Sequence, residues 1–288
     1  MKSSVNAAVW GLGLRTFRLA RRLRVSGPLE PIFQSVALKV LPPSTSEFQV
    51  TLNFGPVMHV PAGYRDGRTL ASQMYHPATT QVFRDVVGAA QNVIDLGAYI
   101  GYFSMLASTL VGPHGHVYAF EPEKAAYSYL VRNIEVNRAV NISPMNYAID
   151  DGPKSMQIIR DPSGPESYVT VAAHPSTDNT VKVESLDRIF SGFRWPPVRL
   201  VKMNIEGSEL GALKGMRGLS ARNSDLVLIM EYNTKAMARA GATRSDLSQT
   251  LRQLGFIKCS VIDAPVGVAA EADLLPNTGV VCNLLLTK

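Results

Sequence analysis

From residue 92 onward, apolar runs of strand length alternate with helix-patterned segments, and that rhythm leaves few folds open. The strand-like runs are "NVIDL", "HVYAFE", "ISPMNYAI", "VRLVKMNI", "LVLIME", "FIKCSVI" and "GVVCNLLLT". Helix-like runs over 100–110, 123–137, 185–190 and 208–220 separate the first five. A further helix over 243–254 has Thr243 as its cap and Gly255 as its stop. Near-continuous apolar strands joined by helices predict a largely parallel sheet covered on both faces. The last two runs are joined by the turn-rich "DAPVGVAAEADLLPNTG", so the final strand is expected to pair antiparallel with its predecessor.

The expected fold is therefore α/β: a Rossmann-like, seven-stranded, mostly parallel sheet with one reversed strand and helices on both faces. A small N-terminal β and helical appendage over 1–70 precedes a main domain over 71–288. In the appendage "FQVTLNF" alternates and "PVMHVPAG" ends in turn residues, while "HPATTQVFRDVVGAA" reads as a helix leading in. Asp-Gly, Pro-Ser-Gly-Pro and Asp-Asn signals interrupt the rhythm at about 151–182 and predict an inserted hairpin.

Composition narrows the function classes. The net charge is +6, and Lys2, Arg15, Arg18, Arg21, Arg22 and Arg24 precede the first acid, Glu30. The remainder is neutral, which argues against a nucleic-acid-binding main domain. The basic, apolar-interleaved stretch over residues 10–25 suits a packed or solvated helix, a peripheral contact with an anionic membrane, or a targeting segment. It projects no clean apolar face. Gly11 and Gly13 follow no strand and do not form a nucleotide turn. No apolar run is long enough to span a membrane, and Cys259 and Cys282 sit in strand-like runs as buried thiols do in a reducing compartment. The expected location is cytoplasmic, membrane-peripheral if the tail makes that contact.

In an open parallel sheet a ligand sits outside the carboxyl ends of the strands. Those ends carry Asp95, Glu121 followed by Pro122, Ile149 and Asp150, Asn204 and Glu206, and Glu231, so each brings an acid or an amide to one rim. Between the first strand and its helix, Gly97 and Gly101 form G-x-x-x-G around Ala98, which differs from the dinucleotide G-x-G-x-x-G. Glycines there let backbone approach a ligand and aim helix amides at it. Tyr99, Ile100, Tyr102 and Phe103 crowd the turn, which disfavours a pyrophosphate. Asp95 would repel a diphosphate and attract an ammonium or sulfonium, and Glu121 is placed to accept two ribose hydroxyls. S-adenosyl-L-methionine is a nucleoside of that description. A dinucleotide-dependent oxidoreductase fits the turn spacing poorly.

"VIDLGAYIGYFSMLAS", "VYAFEPEKAAYSYLVRNIEVN", "VESLDRIF", "VRLVKMNIEGSELGALKGM", "LVLIMEY" and "CNLLL" together resemble the FkbM-type methyltransferases over about residues 74–286. The resemblance implies a class I methyltransferase using S-adenosylmethionine, acting on hydroxyls of sugars or secondary metabolites. It places Asp95, Gly97, Ala98 and Gly101 in the cofactor loop, Glu121 at the ribose, and Ile149 and Asp150 beside the adenine. Family members usually read Lys-x-Asp-x-Glu-Gly at the fourth strand; here the residues are Lys202, Asn204, Glu206 and Gly207. Likewise His76 stands where many members carry a glutamate.

An alcohol needs a base nearby, and an amide cannot be one. Glu206, His76 and Glu231 are the candidates, with Glu206 first because it follows the fourth strand directly; Glu209 is expected to serve the helix start. Asp150, Asn204 and Glu206 offer only oxygen ligands, so a metal route would use Mg²⁺, although no compact ligand motif is present. Lys202, within an apolar strand, either snorkels to the rim or pairs with an acid there. The expected partner is a small-molecule or glycan hydroxyl acceptor. The departure at Asn204 also admits a second class, a catalytically impaired methyltransferase fold used for binding or scaffolding.

Overall fold

The computed structural model describes residues 45–160, 167–171, 180–262, 275–276 and 281–288. The basic stretch over 10–25 and the tip of the 151–182 insertion lie outside the described residues. Two compact units are present, one of residues 45–77 with Glu135–Asn137, the other of Ala78–Ile134 with Arg138–Lys288.

In the smaller unit, β1 (Phe48–Thr51) and β2 (Val57–Val60) pair antiparallel with Phe48 opposite Val60. A short helix, α1 (Gly67–Ala71), follows. His59 is buried in the hairpin, with its Nδ1 3.2 Å from the Glu47 carboxylate. His76 has a left-handed backbone, φ +42°, and its ring stands edge-on to Tyr75 at 4.5 Å.

In the larger unit, α2 (Pro77–Val86) leads into β3 (Asn92–Leu96), α3 (Tyr102–Val111), β4 (His116–Phe120), α4 (Lys124–Val136) and β5 (Ile142–Met145). Then come β6 (Ala148–Ile149), β7 (Lys154–Arg160), β8 (Ser167–Val171) and β9 (Thr180–Glu184). The chain continues through α5 (Leu186–Gly192), β10 (Leu200–Met203), α6 (Glu209–Lys214), α7 (Arg217–Arg222) and β11 (Val227–Tyr232). It closes with α8 (Thr234–Arg239), α9 (Arg244–Gln253), β12 (Lys258–Val261) and β13 (Cys282–Thr287).

The seven-stranded sheet has the order β12-β13-β11-β10-β3-β4-β5. From β11 to β5 every pairing is parallel, and β13 lies antiparallel between β11 and β12. The sheet is therefore mixed, with the single reversed strand expected from the turn-rich connection. Its core follows the period-2 alternation of the strands. Ile94, Leu96, Phe120, Val201, Met203, Leu228, Met230, Leu284 and Leu286 share one buried cluster with Phe190, Leu213, Leu219 and Leu251 from the helices. Among the described residues no helix is long and apolar enough to cross a membrane.

Two elements differ from the sequence reading. The run over 142–149 is two strands, not one. Pro144 fits β5 because β5 is an edge strand. After Met145 the chain leaves the sheet, and β6 joins β9 in a second sheet of order β6-β9-β7-β8. There β7 pairs antiparallel with both β8 and β9. The helix expected over 208–220 is broken into α6 and α7 at Gly215. A Cβ on Gly215 would lie 2.1 Å from the Asp150 carbonyl oxygen. The second helix has its own start, where the Asp187 carboxylate accepts from the amides of Gly218 (2.7 Å) and Leu219 (2.8 Å).

Candidate cofactor-binding site

Alternation decides which side chains meet at the rim. In β3 and β10, Ile94, Leu96, Val201 and Met203 point into the large core, so Asp95 and Lys202 point to the other face. The parallel register sets Lys202 opposite Asp95. The α3 helix supplies their remaining neighbours on that face. The Asp95 carboxylate is 1% exposed; one oxygen accepts from Ser104 Oγ at 2.7 Å and the other lies 3.2 Å from Lys202 Nζ. Lys202 Nζ also donates to the Gly97 carbonyl at 3.2 Å and stands 5.3 Å from the centre of the Phe103 ring. The carboxylate read as an attractor for a cationic ligand is thus turned inward and matched by a lysine. The choice left open for Lys202 is settled as pairing with an acid.

The turn after β3 is held by the protein's own backbone. Gly97 has φ +73°, and a Cβ there would lie 1.9 Å from the carbonyl oxygen of Asn204. Its amide and that of Ala98 both donate to the Phe120 carbonyl, at 3.0 and 2.9 Å. Gly101, φ +98°, is the residue before α3 and faces Leu130 of α4. Glycine is therefore demanded here by φ and by close packing. Phe103 is buried against Phe83, ring centres 5.0 Å apart.

Glu121 ties this turn to the end of β4. It is 6% exposed, and its Oε2 accepts from the Tyr99 amide at 2.8 Å while Oε1 accepts from the Glu123 amide at 2.9 Å. Tyr99 itself has φ +51°. Burial pushes the Glu121 carboxyl up to about 7, against the two backbone hydrogen bonds and the Lys202 charge, which favour ionisation. Asn146 completes the corner by donating to the carbonyls of Glu121 (2.8 Å) and Pro122 (3.0 Å).

Ile149 is part of the hydrophobic core. The Asp150 carboxylate is paired with Lys154 at 3.0 Å, accepts from the Asp151 amide at 2.7 Å and rests against Gly211, where a Cβ would lie 1.9 Å from Oδ1. It is occupied by its own loop. Among the described residues no group of three or more His, Cys, Asp or Glu could hold a metal ion.

Beyond β10, Asn204 Nδ2 donates to Glu231 Oε1 at 3.2 Å, joining the ends of two neighbouring parallel strands. Glu206 has φ +54° and Gly207 φ +111°, a left-handed doublet that a glutamate enters at a cost. Glu209, 3% exposed, spans that doublet: Oε1 accepts from the Ile205 amide at 3.1 Å and Oε2 from the Gly207 amide at 2.9 Å. Burial raises the Glu209 carboxyl to about 7, and the nearby Glu206 charge adds to that. Glu209 thus satisfies the amides ahead of α6, in keeping with its expected role.

The structure brings together Asp95, Gly97, Ala98, Tyr99, Gly101, Phe103, Glu121 and Pro122, with Asn204 packed on Gly97. His76 belongs to the smaller unit. Sequence reasoning missed Ser104, Asn133 and Asn146. Asn133, fully buried, donates to the Ile100 carbonyl at 2.8 Å. A signal for it existed: Ala126, Leu130 and Asn133 recur at i, i+4 and i+7, so the asparagine lies on the buried stripe of α4.

Known proteins align with parts of this chain. The hexuronic acid methyltransferase AglP of Haloferax volcanii is 29% identical over 159 residues, 55% of this chain and 60% of that protein. The chain thus matches less than two thirds of that relative's length. Among solved structures, a methyltransferase FkbM from Methylobacillus flagellatus aligns with TM-score 0.43 at 16% identity, covering 76% of this chain and 54% of that one. An S-adenosylmethionine-dependent O-methyltransferase from Thermotoga maritima aligns with TM-score 0.42 at 13% identity, covering 74% and 66%. Residues 95–258, from the buried aspartate of β3 to the first residue of β12, match the methyltransferase FkbM domain, and the chain belongs to that family.

Proposed function

We propose that the chain is an S-adenosylmethionine-dependent O-methyltransferase whose acceptor is a hydroxyl of a sugar or glycan, or of another hydroxylated metabolite. The observation that carries the reading is Glu121. It is a buried carboxylate at the carboxyl end of β4, and each oxygen already accepts one backbone N–H. Each therefore keeps lone-pair capacity for a vicinal diol such as a ribose. Family membership and the sugar-directed relative support the rest of the proposal.

When bound, S-adenosylmethionine would supply an electrophilic methyl group: the acceptor oxygen would bond to the methyl carbon as the carbon–sulfur bond breaks, S-adenosylhomocysteine would leave as the neutral thioether, and the hydroxyl proton would pass to a base. The protein's part is alignment and proton removal. Glu121 orients the ribose, and the turn over Gly97–Gly101 shapes the wall beside it. Glu206 is the proposed base, presented on its left-handed turn by Glu209. Glu231 is the further candidate within the same unit. Asn204 positions Glu231 by hydrogen bonding and takes no proton.

The test is calorimetric titration of the full chain with S-adenosylmethionine, S-adenosylhomocysteine and NAD, followed by a methyl-transfer screen on uronic acid glycosides and other polyols. Binding of both adenosyl compounds is expected. Binding of NAD alone overturns the proposal. Glu206→Gln is expected to lower turnover while leaving cofactor affinity nearly intact, and unchanged turnover removes Glu206 as the base.

A further inference from the structure

Lys202 touches both the buried acid of the rim and the turn itself. Its ammonium is 3.2 Å from Asp95 Oδ1 and donates at 3.2 Å to the Gly97 carbonyl. The lysine is 7% exposed, and the Phe103 ring lies 5.3 Å away. A lysine buried this deeply is costly unless it is matched, and Asp95 matches it. Matching alone would not require the contact with Gly97. That carbonyl belongs to the residue whose left-handed backbone begins the turn, and the turn's Tyr99 amide reaches Glu121. Asn204, two residues beyond Lys202 on the same chain segment, supplies the backbone oxygen against which Gly97 packs. One segment therefore fixes Gly97 twice, by a charge-assisted hydrogen bond to its carbonyl and by steric contact at its Cα.

We propose that Lys202 is a positioning residue for the cofactor turn, clamping the Gly97 carbonyl from the neighbouring strand in addition to balancing Asp95. The inference rests on the cofactor reading above. It assigns Lys202 no contact with the cofactor: its action passes through the backbone of residues 97–99 to the pocket around Glu121.

The two roles of Lys202 separate in a double-mutant cycle. Lys202→Met alone leaves Asp95 buried without its cation, so loss of folding would be uninformative. The decisive comparison is Asp95→Asn against Asp95→Asn/Lys202→Met, because the acid's charge is absent from both. S-adenosylhomocysteine is the probe, titrated by calorimetry into each full-length variant, with thermal unfolding measured alongside. The clamp predicts that removing Lys202 on the Asp95→Asn background weakens binding by about threefold or more, because a smaller fraction of the protein then holds the turn in its binding geometry. It also predicts that the thermal midpoint changes little or rises, since a buried unpaired ammonium has been removed. Equal affinities for the single Asp95→Asn variant and the double variant overturn the proposal and leave Lys202 as a counter-charge only. Absence of binding by the unaltered protein overturns the cofactor reading and this inference with it, and that result is separable because it is seen before any substitution is made.

Discussion

Gly97 and Gly241 have nearly the same backbone conformation, φ +73° and +74°, yet very different surroundings. A Cβ on Gly97 would lie 1.9 Å from the Asn204 carbonyl oxygen, whereas one on Gly241 meets nothing within 4 Å. Alanine at either position carries the same left-handed penalty, roughly 1–2 kcal/mol. A stiffer unfolded chain offsets about 0.4–1 kcal/mol of it. Gly241→Ala should therefore cost about 1 kcal/mol. In Gly97→Ala the carbonyl must also retreat by about 1.4 Å to reach the roughly 3.3 Å of an ordinary carbon–oxygen approach. That oxygen follows β10, which pairs with both β3 and β11, so it has little freedom to yield. Overpacking of this kind adds about 1–3 kcal/mol or more. The two alanine variants should differ by about 2 kcal/mol, or roughly 4–8 °C in thermal midpoint for a domain of this size. Urea unfolding of both, followed by near- and far-ultraviolet circular dichroism, measures the difference directly. If Gly97→Ala is no less stable than Gly241→Ala, the close approach of the two strand ends is wrong, and with it the account of why glycine stands at the turn.

The Glu121 carboxyl, raised to about 7, should make ligand binding depend on pH, because ribose hydroxyls are best accepted by the ionised form. S-adenosylhomocysteine affinity should rise from about pH 6 to about pH 8 in the unaltered protein and lose most of that slope in Glu121→Gln; parallel slopes would contradict the assignment. Glu209 is shifted in the same direction, but the consequence there is a stability that falls as pH rises. A carboxyl raised above its unfolded value of about 4.5 stabilises the fold fully below that value and loses the contribution as pH climbs through about 7. Urea unfolding of Glu209→Gln should show a flatter decline of stability between about pH 5 and 8 than the unaltered protein. It should also show a general loss of about 1–3 kcal/mol, because glutamine has one acceptor oxygen for the two backbone N–H groups of Ile205 and Gly207, and the one facing its NH2 is left without an acceptor. Asn204→Asp would set a second carboxylate about 3.2 Å from Glu231 Oε1, so its thermal midpoint should fall more steeply than that of the unaltered chain as pH rises above the ordinary carboxylate range. Equal slopes would show that the two side chains are not in contact.

The main sheet was readable because its signal is local: strand-length apolar runs, helix-patterned connections and a turn-rich link before β13. Asp95, Glu121 and Glu231 were readable for the same reason, since strand ends can be counted along the chain; Ile149 and Asp150 were misplaced, because the third strand of the main sheet ends at Met145 and β6 belongs to the second sheet. What the sequence could not reveal was the use of each acid. Asp95 and Asp150 look alike in one dimension, both acidic at the end of an apolar run. Register places Lys202 opposite the first, and Lys154, at the start of β7, takes the second. The break between α6 and α7 was likewise hidden. It follows from the approach of the Asp150 backbone to Gly215, a contact between segments about 65 residues apart in the chain.

Asp95 and Lys202, 3.2 Å apart, act at a distance as a dipole and not as a charge. The field of such a pair fades much faster than that of a lone carboxylate. A positively charged methyl donor approaching this rim would therefore gain little from Asp95 until it is in contact. Its capture would depend on fit and hydrogen bonding, and its association rate would vary little with salt through this acid. The same balance bears on what happens after transfer. S-adenosylhomocysteine has lost the donor's positive charge, and a neutral pair at Asp95 does not distinguish the two on that ground. Any preference for the fresh cofactor over the spent one would then have to come from other groups at the rim.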